Sequence, residues 1–139
     1  MPTSPTDHTT VPALVECPEV RMFWTRLFGQ LGLRITEQEL NTSAILSLYI
    51  SREHRSTRSA DTCAVALASG LWIIHRARMR WHFAQTYTAP HAMLQEWKAL
   101  VRDILIAKHK TAIERNTREA FVTVWAWLMR AVGLQTMAQ

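Results

Sequence analysis

The sequence predicts an all-α fold, an irregular bundle of about five helices with a buried central helix. Apolar residues recur at spacings of three and four over long segments, as on one face of a helix. No segment alternates apolar and polar residues over the length of a strand. Glycine (4) and proline (5) are scarce in the 139 residues. With 48% hydrophobic and 19% charged residues, the chain can bury a core and is not compositionally disordered.

Two helices are predicted in the first third of the chain. Pro18 suits a first helical position, where its missing N–H needs no partner, and Gly32 suits a C-terminal stop. Between them lies one apolar stripe: Val20, Phe23, Trp24, Leu27, Phe28 and Leu31. Thr36 and Glu39 match a capping box that would start a second helix, continuing to about Tyr49. The arginine-rich residues that follow, 51–59, predict a solvated basic loop.

Three further helices are predicted after this loop. The first, over about 60–84, is apolar almost all round in its first half, which indicates the central helix. The next covers about 90–115, from Pro90. Asn116 and Glu119 resemble a second capping box, and Gly133 would end the last helix.

The domain boundaries follow from composition. We expect a flexible N-terminal arm at 1–12, a single helical domain at 13–133 and a C-terminal tail at 134–139. Residues 1–10 lack the basic and apolar regions of a secretory signal, so we expect an intracellular protein. The longest apolar run, 63–74, is too short to cross a bilayer, and we expect no membrane partner. Two cysteines exclude a disulfide scaffold.

The strongest functional signal is a basic and aromatic segment, residues 71–83. The chain has 16 lysines and arginines against 11 acidic residues, a net charge of +5, which favours anionic partners. Arg76, Arg78 and Arg80 can hold phosphates, and Trp81 can stack on a base. We therefore predict a nucleic-acid-binding site for RNA or DNA.

A second interpretation of this segment remains open. On a helical wheel Trp72, Arg76, Met79 and Phe83 share one face, and Trp81 lies roughly opposite. The aromatic rings would then belong to the core, and the arginine stems would extend over them into water.

Three other tryptophans are candidates for a protein interface: Trp97, Trp125 and Trp127. Trp125 and Trp127 lie on different sides of the last helix, so one indole can face a partner or a second copy of the chain. Burial of both rings within the bundle is the equal alternative.

The sequence contains no complete catalytic set, so we expect no enzyme and no cofactor. Cys17 precedes a helix start, where a thiol can become reactive, but no glycine elbow or oxyanion loop accompanies it. His75 and His82 are two helical turns apart, about 10 Å, too far to share a metal ion directly.

Two stretches resemble one family, the non-LTR (LINE-type) retrotransposon reverse transcriptases. Residues 17–24 resemble the Cys-Pro-x-apolar-x-x-x-Trp stretch that closes the family's zinc-binding region. Residues 71–83 resemble a downstream helix with the pattern Leu-Trp-x-x-Trp/His-Arg-x-Arg-x-x-x-x-Phe. The order and separation of the motifs also fit, from about Val11 to Trp127.

The resemblance implies a non-catalytic C-terminal segment that helps to hold RNA or DNA through Arg76, Arg78 and Arg80. Cys17 matches a family zinc ligand, but Pro12 stands where the family has its histidine ligand, so we expect no metal here. The aspartates of the polymerase motifs are absent from the sequence. A helical protein-interaction module and a functionless retroelement relic are the alternatives.

Overall fold

The computed structural model describes residues 17–32, 40 and 60–138, and all secondary structure there is helical. The predicted all-α class is therefore confirmed for this part of the chain. The predicted N-terminal arm, the helix from the Thr36 capping box and the basic loop at 51–59 lie outside the described residues, and the total of about five helices is not confirmed. The described residues form four α-helices and a 3-10 helix: α1 (Pro18–Gln30), α2 (Ala60–Ala84), α3 (Pro90–Glu114), α4 (Arg118–Ala131) and the 3-10 helix (Gln135–Ala138).

The predicted helix boundaries agree closely with the structure, with one exception. Pro18 and Pro90 each open a helix, and Gly32 has a φ of 72°, the left-handed conformation that follows a helix end. The capping box at Asn116 is wrong. Asn116 has a φ of 58° and belongs to the end of α3, while Thr117 is the N-cap of α4 and makes no side-chain cap bond. Asparagine tolerates the left-handed conformation, and here it ends α3 instead of capping α4.

The core lies where α1, α2 and α3 meet. Trp24 is fully buried, and its ring stacks on Phe28 at a centroid distance of 5.6 Å. Gly70 of α2 faces this ring. A Cβ atom at Gly70 would stand 2.9 Å from Cζ3 of Trp24, so glycine allows the two helices to approach closely.

Helix α2 is buried along one side, and the predicted buried central helix is not confirmed. The buried side carries Cys63, Ala66, Leu67, Gly70, Ile73, Ile74 and Ala77. On the opposite side Trp72 is 51% exposed and Phe83 is 72% exposed. The outward residues of the first half include Ala64 and Ala68, whose small side chains expose little apolar surface.

The predicted C-terminal tail contributes to the bundle. The backbone N–H of Leu134 donates to the carbonyl of Met129 at 2.7 Å, which turns the chain back toward α4. Leu134 and Met137 then pack against the core from its edge.

Candidate nucleic-acid interface

The outward side of α2 forms a row of rings and cationic groups, which we call the outer face of α2. It consists of Trp72, His75, Arg76, Met79, His82 and Phe83, with Arg78 at its edge. Their sequence spacings are those of a single helix face, and every residue except the half-buried Arg78 is exposed. Trp72 and Phe83 lie about 16 Å apart along the helix axis.

Local ring contacts hold part of this face in place. The Trp72 and His75 rings are 5.6 Å apart, and the His82 and Phe83 rings meet edge to face at 4.8 Å. A shallow pocket of about 280 Å³ lies beside the face. The described residues that line it are His75, Arg78, Met79 and His82. Cationic or hydrogen-bonding groups and flat apolar rings therefore alternate over three turns.

The structure resolves which of the two stripes of α2 is core. Ile73, Ile74 and Ala77 are 1–2% exposed, so the core uses the stripe opposite Trp72 and Phe83, and Trp81 is half-buried on that side. The face with Trp72, Arg76, Met79 and Phe83 is the solvent-facing one. The interpretation that places the rings of this segment in the core is therefore wrong for Trp72 and Phe83.

Arg80 forms an ion pair with a neighbouring helix. Its guanidinium forms a two-pronged ion pair with Glu96 of α3, with Nη1 donating to Oε2 at 2.8 Å and Nη2 donating to Oε1. Nη1 also reaches the hydroxyl of Thr88 at 3.4 Å. The hydrogen bonds from Arg80 lower the pKa of Glu96, as does the charge of Arg76 nearby, and the same pair raises the pKa of Arg80. Arg80 therefore joins α2 to α3, and we place it outside the outer face.

Trp81, the predicted stacking residue, is half-buried and lies across the helix from the outer face. The rings with free area for a ligand are Trp72 and Phe83, which sequence reasoning placed on the right face but did not choose. The sequence signal for Trp72 and Phe83 was their helical spacing from Arg76, which puts all three on one face.

The three tryptophans predicted for an interface are packed within the chain. Trp97 is fully buried, and its Nε1 donates to the carbonyl of Ala66 at 2.9 Å. Trp127 is half-buried, and its Nε1 donates to Oγ1 of Thr62 at 3.2 Å. Trp125 is 9% exposed. These indoles hold α3 and α4 against α2 and against each other, and Trp97 has no surface to offer a partner.

A second cluster of cations and rings, which the sequence did not reveal, lies between α3 and α4. This α3–α4 groove has a volume of about 550 Å³. Nζ of Lys108 sits 5.3 Å from the centroid of the Trp125 ring, which stacks on Phe121 at 5.9 Å. The lining residues are Ala107, Lys108, Thr111, Ala112, Arg115, Thr117, Ala120, Phe121, Val124 and Trp125.

Within the described ranges, no three or more histidine, cysteine or acidic side chains are grouped so that they could hold a metal ion. Cys17, for which the sequence resemblance raised the question of a zinc ligand, is 6% exposed and packs in the core cluster.

None of the helices in the described part of the chain combines the length and apolar character that a membrane span requires. Comparisons of the chain with models of known protein families, with curated proteins and with solved structures found no match.

Proposed function

We propose that this protein is a non-catalytic nucleic-acid-binding segment that holds RNA or DNA on the outer face of α2. The observation that carries the proposal is the solvent exposure of Trp72 and Phe83 on the same helix face as Arg76. A folded chain loses free energy by leaving large rings in water, and such exposed apolar surface marks binding sites.

The chemistry of the outer face supports a nucleic acid as its partner. Exposed rings stack on bases without regard to sequence, and each stack contributes about 1–3 kcal/mol. Guanidinium groups bind phosphate oxygens in a two-pronged geometry, and Arg76 and Arg78 stand among the rings. The net charge of +5 adds a long-range attraction to any polyanion.

The retroelement resemblance supplies the biological context of the proposal. Residues 71–83 carry its second motif, and the same residues form the outer face. We propose that the chain is a C-terminal accessory segment of a LINE-type reverse transcriptase that acts inside the cell. Polymerization would then belong to another part of such an element, and this segment would help to position its template or target.

The proposal predicts binding of single-stranded RNA and duplex DNA that weakens steeply with salt. We expect a slope of about −3 or steeper in a plot of log K against log salt concentration, because bound phosphates release counterions. Trp72→Ala/Phe83→Ala should weaken binding of the single strand about tenfold or more. Arg76→Ala/Arg78→Ala should weaken the binding of both single-stranded RNA and duplex DNA. It should also make the salt slope shallower by about 2. Fluorescence anisotropy with labelled oligonucleotides measures the affinity of the unsubstituted chain and of both variants, and titrations at several salt concentrations give the slope.

Arg26→Ala/Arg130→Ala is the matched control, because it removes the same charge from exposed positions on α1 and α4. It should retain most of the affinity. Equal losses in the two arginine variants would show that only net charge matters and would overturn the assignment of the site. Absence of binding at low salt by a folded, helical chain would overturn the proposed function itself.

A further inference from the structure

The α3–α4 groove combines an apolar wall with a cationic edge. Helix α4 supplies Phe121 and Val124, and Val124 is 40% exposed. Lys108 of α3 and Arg115 at the C-cap of α3 supply the cations, while small residues at Ala107, Ala112 and Ala120 leave space between the helices. A groove of about 550 Å³ is large enough to receive several side chains of a ligand.

The charges of the groove are of one sign. The described lining residues include two cations and no carboxylate. Among the described residues neither Lys108 nor Arg115 is in an ion pair with a carboxylate. Glu114 and Glu119 are exposed but lie outside the lining. The edge is therefore complementary to an acidic ligand.

The spacing of the two cations indicates the form of that ligand. Lys108 on α3 and Arg115 at its C-cap are seven residues apart on one side of the helix, about 10 Å along the axis. Two acidic residues seven apart on a second helix have the same separation. Apolar residues three or four positions after the first acid would fall between them, opposite Phe121 and Val124.

The groove is a poor site for bases, in contrast to the outer face of α2. The Trp125 ring is covered on one side by Lys108 and on another by Phe121, and it is 9% exposed. It has no open face on which a base could stack. The concave apolar lining suits side chains that insert from a partner instead.

We propose that the α3–α4 groove binds an acidic amphipathic helix of a partner protein. The acidic residues of that helix, spaced by seven, would pair with Lys108 and Arg115, and its apolar residues would fill the space against Phe121 and Val124. This site is separate from the outer face of α2, so the two proposals stand or fall independently.

The test uses the full chain and a labelled synthetic peptide of about 15 residues, long enough for two turns beyond the contact. The peptide carries glutamates at i and i+7 with leucines at i+3 and i+4, and a scrambled peptide of the same composition is the control. We expect saturable binding of the first peptide in an anisotropy titration. The indole N–H signal of Trp125, assigned through Trp125→Phe, should shift during an NMR titration.

Charge reversal supplies the decisive comparison. Lys108→Glu/Arg115→Glu should weaken binding of the glutamate peptide about tenfold or more and should create binding of a peptide with lysines at i and i+7. Lys110→Glu/Arg130→Glu changes the same charge at exposed positions outside the lining and should leave the affinity nearly unchanged. The gain of binding to the lysine peptide reports the site directly, because a misfolded variant cannot produce it.

Three results would overturn the proposal. The first is equal binding of the ordered and scrambled peptides, and the second is equal loss in the two charge-reversal variants. The third is displacement of the peptide from the Trp125 signal by single-stranded RNA, which would make the groove a nucleic-acid site. None of these results depends on whether the outer face of α2 binds RNA.

Discussion

Along α2, residues 60–71 and residues 72–83 differ in what lies on their outward side. In the first segment the outward positions include Ala64 and Ala68, which expose little apolar surface. In the second they include Trp72 and Phe83, which expose much of their rings. Both segments bury their inner side in the same core, so the contrast concerns the solvent side alone.

This contrast separates residues that hold the fold from residues available for binding. Gly70 and Ile73 have no contact to offer a ligand because both are enclosed by the chain. Trp72 stands beside them in sequence and points away. Unlike the half-buried Trp81 on the other side of the same segment, Trp72 and Phe83 are exposed and lie outside the buried core. Their exposure supports the proposed binding surface on this side of the helix.

The largest expected effect tests the buried side of α2. Gly70→Ala would place a Cβ atom 2.9 Å from the Trp24 ring and 3.1 Å from Cδ1 of Leu27, and both of these side chains are fully buried. The strain exceeds the helix-propensity gain of about 1 kcal/mol, so we expect a net loss of about 2 kcal/mol in the free energy of unfolding. Urea denaturation followed by circular dichroism measures it.

Gly29→Ala is the matched control for this substitution. Apart from its chain neighbours and its own helix backbone, no atom of the described residues lies within 4 Å of the position that its Cβ would occupy, so alanine should stabilise α1 by about 0.5 kcal/mol. Trp72→Ala/Phe83→Ala, the variant of the binding experiment, should unfold within about 1 kcal/mol of the unsubstituted chain. If this variant lost more free energy of unfolding than Gly70→Ala, the outward rings and not the buried side of α2 would stabilise the fold.

A smaller effect is expected at the ion pair between Arg80 and Glu96. The two side chains are 31% and 26% exposed, so solvent screens much of their attraction. A double-mutant cycle with Arg80→Ala and Glu96→Ala should give a coupling free energy of about 1 kcal/mol, because the pair is two-pronged. A coupling free energy of zero would mean that the ion pair with Glu96 is no reason to place Arg80 outside the outer face of α2.

The pH dependence of this pair has a definite sign. The folded-state pKa of Glu96 is lowered, first by its hydrogen bond to Arg80. Its contribution to stability is therefore complete above the ordinary glutamate value of 4.5 and is lost as the pH falls through the lowered pKa. Glu96→Gln should reduce the stability difference between neutral and acid pH, and a chain with Glu96→Gln that is equally sensitive to acid would contradict the assignment.

The boundaries of α2 and α3 were predictable from the sequence because both helices are long and periodic and because Pro90 separates them. The side of α2 that is buried was not predictable in the same way. Both stripes of the helix contain apolar residues, and the choice depends on the close approach that Gly70 and Ala77 permit to the neighbouring helices.

The functional residues could also not be assigned fully from the sequence. The sequence placed Arg76, Arg78 and Arg80 together, but Arg80 and Glu96 are sixteen residues apart on different helices. Helical periodicity describes neighbours on one helix and contains no information about a pair between two. The α3–α4 groove was hidden for the same reason, because Lys108 and Trp125 meet only when the helices cross.

The smallest effect concerns the link between the end of α2 and the start of α1. Tyr87, in the segment that follows α2, donates a hydrogen bond to Oε2 of Glu19. This hydrogen bond, more than burial, raises the pKa of Tyr87 to about 12 from an ordinary 10.0. The neutral hydroxyl is the bonded form, so its contribution is complete below pH 10.0 and is lost as the pH rises through about 12.

An absorbance titration of tyrosinate can measure this pKa directly. The chain has two tyrosines, so Tyr49→Phe leaves Tyr87 as the single reporter. We expect a midpoint near pH 12 in the Tyr49→Phe chain and a return toward 10.0 when Glu19→Gln is added. Glutamine still accepts a hydrogen bond but carries no charge. A partial return of the Tyr87 pKa would therefore show how much of its shift comes from the hydrogen bond and how much from the charge of Glu19. An unshifted midpoint in the Tyr49→Phe chain would show that Tyr87 and Glu19 are not hydrogen-bonded in solution. The segment that follows α2 would then lack this contact with α1.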